Sequence, residues 1–93
     1  MPRAKDKVYV KDLERGKIFE YHGYDTTISP GIIQYIGAYE HTDVDENKVK
    51  KHRFLWIKKP VYKIKSFGNY VKGKPTLEMF GGNIRGALRF IDE

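Results

Sequence analysis

Short apolar runs separated by turn residues make up the hydrophobic pattern of this chain. The clearest runs fall at residues 17–22, 31–40, 53–57 and 76–80, and they are rich in β-branched or aromatic side chains. Runs of this length and composition are typical of β-strands, and Gly37 inside the second run predicts a bend or bulge. The runs do not alternate with helical segments, so a parallel sheet with crossover helices is not expected.

Weaker signals fill the segments between these runs. Residues 8–10 predict the start of a short strand, and residues 61–65 alternate apolar and basic positions, which predicts a strand with a basic, solvent-facing side. Residues 29–31, Ser-Pro-Gly, predict a type II turn, because proline presets the first central position and glycine accepts the positive φ of the second. Residues 41–51 are too hydrophilic for a core element and predict an exposed loop.

The C-terminal stretch has helical spacing. Ile84, Ala87, Leu88 and Ile91 recur at i, i+3, i+4 and i+7, and Asn83 is placed to act as the N-cap of a short amphipathic helix. Taken with the strands, this pattern predicts a mainly β fold, a small antiparallel barrel of about five strands with a short C-terminal helix.

Glycine and apolar positions near the N-terminus support the same fold class. The positions are Leu13, Gly16, Phe19, Glu20, Tyr21 and Gly23, followed by Gly31, Ile32, Ile33, Tyr35, Ile36 and Gly37. Their placement resembles the first two strands of SH3-like barrels of the KOW and Tudor kind. The resemblance implies a small barrel, and such barrels often bind nucleic acids or peptides. Because one fold hosts many functions, we use it as an expectation about the fold alone.

Length and composition limit the chain to one domain. Its 93 residues are 40% apolar, which is enough for a single hydrophobic core, so we expect one domain over residues 8–93 and a flexible charged tail over residues 1–7. No cysteine is present, which excludes disulfides and thiolate metal sites and favours a reducing compartment, the cytoplasm. No apolar run has the length of a signal peptide core or a membrane span, so neither secretion nor insertion is expected.

Positive charge is concentrated in the middle of the chain. The net charge is +6, yet residues 47–77 hold ten of the 18 bases and none of the 12 acids, which leaves the rest of the chain at −4. Soluble surfaces usually mix both signs, so a window of this length without an acid favours an anionic partner. Nucleic acid is the commonest partner of this kind; an acidic protein surface is an alternative, and no amphipathic helix or lipidation signal favours a membrane.

Aromatic residues are interleaved with these bases, which is the leading functional signal. Lysine and arginine neutralise phosphates, and exposed rings stack on unpaired bases. The residues predicted to bind nucleic acid are Lys50, Lys51, Arg53, Trp56, Lys58, Lys59, Lys63, Lys65, Tyr70, Lys72 and Lys74. The competing interpretation is that the rings fill the core while the lysines are solvated and protect edge strands.

Two hypotheses follow. The first is a non-enzymatic nucleic-acid-binding barrel (DNA or RNA), whose binding weakens with salt and with charge reversal at Lys58, Lys59, Lys63 and Lys65. The second is a small protein-interaction module, such as an accessory subunit or an inhibitor of a host complex encoded by a virus or mobile element. The positions of Trp56 and Tyr70 discriminate between them: if these rings are exposed among the lysines, the first hypothesis is favoured, whereas an uncharged aromatic patch elsewhere favours the second.

Motifs for catalysis, metals and cofactors are incomplete in the sequence. The stretch from Gly68 to Lys74 matches most of a phosphate-binding loop, but Pro75 stands where that loop needs Ser or Thr. Residues 43–54 begin with the spacing of a calcium loop but lack its glycine and its final glutamate. The three histidines have no zinc-site spacing. We therefore expect no catalytic site, no metal and no cofactor.

Overall fold

The structure is a computed structural model that describes residues 7–23 and 27–91, so the predicted N-terminal tail lies, except for Lys7, outside the described residues. The chain is mainly β. Its strands are β1 (Ile18–Tyr21), β2 (Thr27–Ser29), β3 (Gly31–Thr42), β4 (Lys48–Lys58), β5 (Val61–Tyr62), β6 (Thr76–Phe80) and β7 (Leu88–Phe90). Helix α1 spans Lys65–Val71, helix α2 spans Gly81–Ala87, and a 3-10 helix spans Val10–Asp12.

Two antiparallel sheets organise these strands. The main sheet has the order β6-β4-β3-β1-β7, and β2 pairs with β5 in a separate two-stranded sheet. The chain passes from the small sheet to the main sheet at Pro30, between the end of β2 and the start of β3. Strands β6 and β7 are the edges of the main sheet, and closure into a barrel stays a prediction.

The core lies on one side of the main sheet. Phe19, Ile33 and Phe54 point to this side from β1, β3 and β4, and Ile84 and Ala87 of α2 are buried with them. Their burial follows the period-2 alternation of each strand. A fully buried side chain of this size contributes about 1.5–3 kcal/mol to the free energy of unfolding, so these contacts fix which sheet side faces inward.

A long hairpin formed by β3 and β4 replaces the exposed loop expected over residues 41–51. The two strands pair from Ile32 opposite Lys58 to Thr42 opposite Lys48, and the true loop is only residues 43–47. The Asp43 side chain closes it by accepting hydrogen bonds from the backbone N–H groups of Asp45 and Asn47. The loop prediction was wrong because cross-strand hydrogen bonds hold a polar ribbon in place without burying its side chains.

Glycine serves two different purposes in β3. The predicted bulge at Gly37 is confirmed: the register shifts between Tyr35 and Gly37, and Gly37 has φ 141°. The type II turn expected at residues 29–31 is not formed in the predicted way, because Gly31 has no positive φ and begins β3. A Cβ on Gly31 would lie 2.7 Å from the Lys58 carbonyl oxygen and 2.8 Å from Pro60 Cδ, so this glycine is required for space.

The C-terminal helix is shorter than the sequence predicts. α2 ends at Ala87, and Leu88 starts β7 by pairing with Tyr21 of β1. Phe80 occupies the N-cap position that the sequence assigned to Asn83, and no side chain caps the helix. Helical spacing in the sequence did not reveal that the backbone after Ala87 completes the sheet.

Two other predicted strands are short or absent. The strand over residues 61–65 consists of Val61–Tyr62 alone, and α1 begins soon after it. The strand over residues 8–10 is replaced by a single bridge between Lys7 and Arg89 and by the 3-10 helix. Neither helix in the described part of the chain is long and apolar enough to span a membrane.

Candidate nucleic-acid interface

The side of the main sheet opposite the core is accessible along β6, β4 and the later part of β3, and we call it the open face. Near Gln34 and Gly37 of β3, the segment of Arg15 and Gly16 lies against it. Antiparallel pairing places the outward residues of these three strands in rows across it. The open face consists of Thr76, Glu78 and Phe80 of β6, Lys51, Arg53 and Leu55 of β4, and Gln34, Gly37, Tyr39 and His41 of β3.

Strand alternation brings the two predicted cations of β4, Lys51 and Arg53, to the open face. His52 and Phe54 are buried, with 3% and 0% of their surface exposed. Because side chains alternate along a strand, Lys51 and Arg53 point to the opposite side. Lys50 has the parity of His52 and is paired with Glu40 on that other side. Adjacent lysines of one strand, Lys50 and Lys51, therefore lie on opposite sides of the sheet.

Aromatic rings lie among these cations. Phe80 is 41% exposed, and the Lys51 ammonium lies 5.0 Å from its ring centroid. The His41 ring approaches Phe80 edge-on at 6.2 Å, and the Arg53 guanidinium lies 4.8 Å from the centroid of the Tyr39 ring. An exposed ring next to a mobile cation offers a ligand both an apolar face and positive charge.

Glu78 tempers the positive charge of the open face. Its Oε2 accepts hydrogen bonds from Arg53 Nε at 3.0 Å and Arg53 Nη2 at 2.8 Å. The bond from Arg53 is the main cause that lowers the pKa of Glu78, and a bond to Glu78 is the main cause that raises the pKa of Tyr39. Arg53 is thus held both by its ion pair with Glu78 and against the Tyr39 ring, while the Lys51 ammonium lies over the Phe80 ring.

A pocket of about 270 Å³ adjoins Phe80 along β6. Lys51, Glu78 and Thr76 line it from the open face, and Lys74 lines it from the segment that follows α1. Its other lining residues are Val71, Pro75 and Leu77. Two of the predicted basic residues, Lys51 and Lys74, are therefore brought to one concavity although 23 positions separate them in the sequence.

The remaining predicted cations lie elsewhere. Lys58, Lys59, Lys63 and Lys65 are exposed near the C-terminal end of β4 and around β5, and we call them the basic end. Along a strand that rises about 3.3 Å per residue, Lys51 and Lys58 are separated by about 23 Å. Within the described residues, no acid forms an ion pair with the basic end. Lys72 is exposed after α1.

The two aromatic residues of the predicted site do not join the open face. Trp56 is only 9% exposed, and its indole ring packs edge-on against Tyr21 at 5.3 Å. It is a core residue. The prediction that it stacks on bases was wrong because Trp56 is two positions after Phe54 on β4 and points to the same, core side of the sheet. Tyr70 belongs to α1, and its side chain lies outside the described part of the structure.

Sequence reasoning missed the rings that the open face does present. Tyr39, His41 and Phe80 all lie outside residues 47–77, the stretch that is rich in bases and contains no acid. The sequence assigned Tyr39 and Phe80 to strands and His41 to a loop. The available signal was alternation along β6: Leu77 and Met79 face inward, so Phe80 must face outward. For Tyr39 the signal was weaker, because the bulge before Gly37 inverts the side on which later residues point.

A buried polar pair lies on the core side of β4 and β3. His52 Nδ1 is 3.1 Å from the Tyr35 hydroxyl, and both residues are buried. Burial, followed by the charge of Lys50, lowers the pKa of His52. Within residues 7–23 and 27–91, no group of three or more acidic, His or Cys side chains is placed to hold a metal ion.

No protein-family model, curated protein or solved structure matches the chain. A functional conclusion therefore depends on the geometry of the open face, and the resemblance to SH3-like barrels stays a prediction.

Proposed function

We propose that this protein is a non-enzymatic nucleic-acid-binding protein that contacts its ligand through the open face. The observation that carries the proposal is the position of Phe80, an exposed ring with the Lys51 ammonium 5.0 Å from its centroid. Phe80 is not one of the two rings named in the sequence-based expectation: Trp56 is buried, and the Tyr70 side chain lies outside the described residues. Tyr39 is half-buried and adds a second ring beside a cation, the Arg53 guanidinium 4.8 Å from its centroid.

Both parts of the open face match the chemistry of a polynucleotide. Stacking of a base on an aromatic ring contributes about 1–3 kcal/mol, and sheets that bind RNA present rings on an uncovered face in this way. Lysines near the rings neutralise phosphates and release counterions. Strand β6 also lies at the sheet edge, so a flexible ligand reaches Phe80 without displacing a covering element.

The basic end has a supporting role in this proposal. Lys58 lies about 23 Å along β4 from Lys51, too far to contact the same nucleotide as Phe80. The lysines of the basic end act over a Debye length of about 10 Å at moderate salt and attract a polyanion towards the protein. The small-barrel interpretation of the fold belongs to the same proposal, since small barrels provide sheet surfaces of this size for nucleic acids.

The direct test measures binding of fluorescently labelled single strands and duplexes by anisotropy across a salt series. We expect binding that weakens steeply as salt rises. Lys51→Gln and Lys50→Gln form a matched pair, because each removes one charge from adjacent positions on opposite sides of β4. Lys51→Gln should reduce the magnitude of the log–log salt slope by about 0.7 for a single strand, and Lys50→Gln should leave it nearly unchanged.

Two results would contradict the proposal. If the wild-type protein binds neither single strands nor duplexes at low salt, nucleic acid is not its partner. If Lys50→Gln weakens binding as much as Lys51→Gln, then binding depends on net charge and not on the open face.

Exposed apolar side chains around β5 favour docking on an acidic protein as the second candidate. Ile28, Val61 and Ile64 are 68%, 54% and 50% exposed. Lysines of the basic end flank Val61 and Ile64 in the sequence, and the pairing of β2 with β5 places Ile28 near them. An apolar surface with a charged rim is a common form of protein interface. Replacing Val61 with Asp would abolish binding to such a protein while leaving nucleic-acid binding through the open face intact.

A further inference from the structure

Phe80 and the pocket beside it form one continuous surface. The Lys51 side chain belongs to both, since its ammonium lies over the Phe80 ring and its residue lines the pocket with Lys74. Lys51 therefore connects the exposed Phe80 ring to a concavity of about 270 Å³ that Lys74 also lines.

A single nucleotide has the matching arrangement of groups. Its flat aromatic base and its phosphate are joined through one sugar, so a ring and a cation that are 5.0 Å apart can be contacted by the same nucleotide. A base stacked on Phe80 would take the place of the ammonium, and the flexible Lys51 side chain would then reach a phosphate in the pocket that it lines. Thr76 also lines the pocket, and the Glu78 carboxylate there accepts a hydrogen bond from Arg53.

Stacking on Phe80 requires an unpaired base. In a duplex, each base face is covered by the neighbouring pair, and only base edges are accessible in the grooves. The β3–β4 hairpin has the two-stranded shape that fits a major groove, but its loop contains Asp43, Asp45 and Glu46, which phosphates repel. The geometry of the open face thus favours single strands, and the hairpin disfavours duplexes.

We propose that Phe80 and the pocket between Lys51 and Lys74 form a nucleotide subsite that takes one unpaired base and its phosphate, so that the ligand is single-stranded nucleic acid. This inference rests on the proposed nucleic-acid-binding function and specifies its substrate class. It assigns the stacking role to Phe80, and the phosphate contacts to Lys51 and Lys74.

The test uses the full chain and a labelled oligonucleotide of about 12 nucleotides, alone and annealed to its complement. Phe80→Leu removes the flat ring and keeps an apolar side chain, whereas Phe80→Tyr keeps the ring as a matched control. We expect Phe80→Leu to weaken single-strand binding about 5- to 150-fold, which corresponds to the stacking energy of about 1–3 kcal/mol. Phe80→Tyr should bind like the wild type, and duplex binding should be weaker and insensitive to both substitutions.

A second variant keeps the inference testable if Phe80→Leu impairs folding, which Trp56 fluorescence reports. Lys74→Gln, at the rim of the pocket, should reduce the magnitude of the single-strand salt slope by about 0.7. Wild-type binding with a preference for duplex, or single-strand binding unchanged by both Phe80→Leu and Lys74→Gln, would overturn the subsite and leave nucleic-acid binding itself standing. Absence of any wild-type binding would instead refute the proposed function.

Discussion

Removal of the Glu78 charge should strengthen nucleic-acid binding. A substitution that merely damaged the fold would weaken binding, so a gain in affinity is informative. In the wild type, Glu78 Oε2 accepts both hydrogen bonds from Arg53, and its lowered pKa keeps it ionised at neutral pH. Glu78→Gln preserves the size of the side chain and an oxygen that accepts from Arg53, but it removes the negative charge. The net charge of the open face rises by one, and Arg53 becomes available to a phosphate.

The size of the effect follows from counterion release. One additional phosphate contact steepens the log–log salt dependence of single-strand binding by about 0.7. The affinity ratio of Glu78→Gln to wild type should therefore fall about 2.6-fold between about 50 and about 200 mM salt. Stability should change little, because solvent screens a partly exposed ion pair and such a pair adds little to folding.

Fluorescence anisotropy at several salt concentrations measures this difference, and Glu40→Gln is the matched control. Glu40 is also an exposed acid of the sheet, but it pairs with Lys50 on the side away from the open face. Both variants change the net charge equally, and only Glu78→Gln should show tighter binding with a steeper salt slope. Equal gains in the two variants, or weaker binding by Glu78→Gln, would refute a phosphate-binding role for this part of the open face.

Three further predictions concern the scaffold that carries the open face. Gly31→Ala should destabilise the fold by about 1–3 kcal/mol in urea unfolding, because the new Cβ would lie 2.7 Å from the Lys58 carbonyl oxygen; an unchanged midpoint would contradict this packing. Phe54→Ala should cost about 3–5 kcal/mol, as expected for a ring with 0% exposure, and a loss below about 1 kcal/mol would place this ring outside the core. Because burial lowers the pKa of His52, the unfolded chain binds its proton more readily. The stability contribution of this histidine is complete above its ordinary pKa of about 6.5 and is lost as pH falls, by at most about 1.4 kcal/mol per pH unit; unfolding of His52→Gln across pH should lack this component, and an identical pH profile would contradict it.

Much of the strand content followed from local pattern. The runs around Phe19, Ile33, Phe54 and Met79 became strands because β-branched and aromatic side chains with period-2 burial are favoured in a sheet with one covered side. The bulge at Gly37 was likewise predictable, since a glycine inside a strand marks a local irregularity.

The pairing of distant strands decides which charged residues become neighbours and where α2 ends, and neither could be predicted from the sequence. Residues 47–77 contain no acid, yet the folded sheet places acids beside their bases: Glu78 of β6 lies beside Arg53, and Glu40 of β3 lies opposite Lys50. Charges that are segregated along the chain are thus mixed by antiparallel pairing, and a linear charge map cannot show this. Helical spacing after Ala87 was equally ambiguous, because the same residues were needed to extend the sheet as β7.

The candidate site was predicted only in its cations. Lys51 reached the open face and, with Lys74, the pocket beside β6, whereas Trp56 was required to fill the core of a small domain. The outward position of Tyr39 depends on the bulge before Gly37, which the pattern of alternation before that bulge does not show. Alternation along β6 does predict that Phe80 faces away from the core, but that this side is left open at a sheet edge is a property of the assembled sheet.

The most direct test of the account maps the binding surface by nuclear magnetic resonance. A single-stranded oligonucleotide is titrated into isotopically labelled protein while backbone amide shifts are followed. The largest changes should occur at the β6 and β4 positions around Phe80 and Lys51, with smaller changes at Tyr39 and little change in the core-facing positions. Changes confined to the basic end and β5, or no change at low salt, would contradict the assignment of the open face as the nucleic-acid interface.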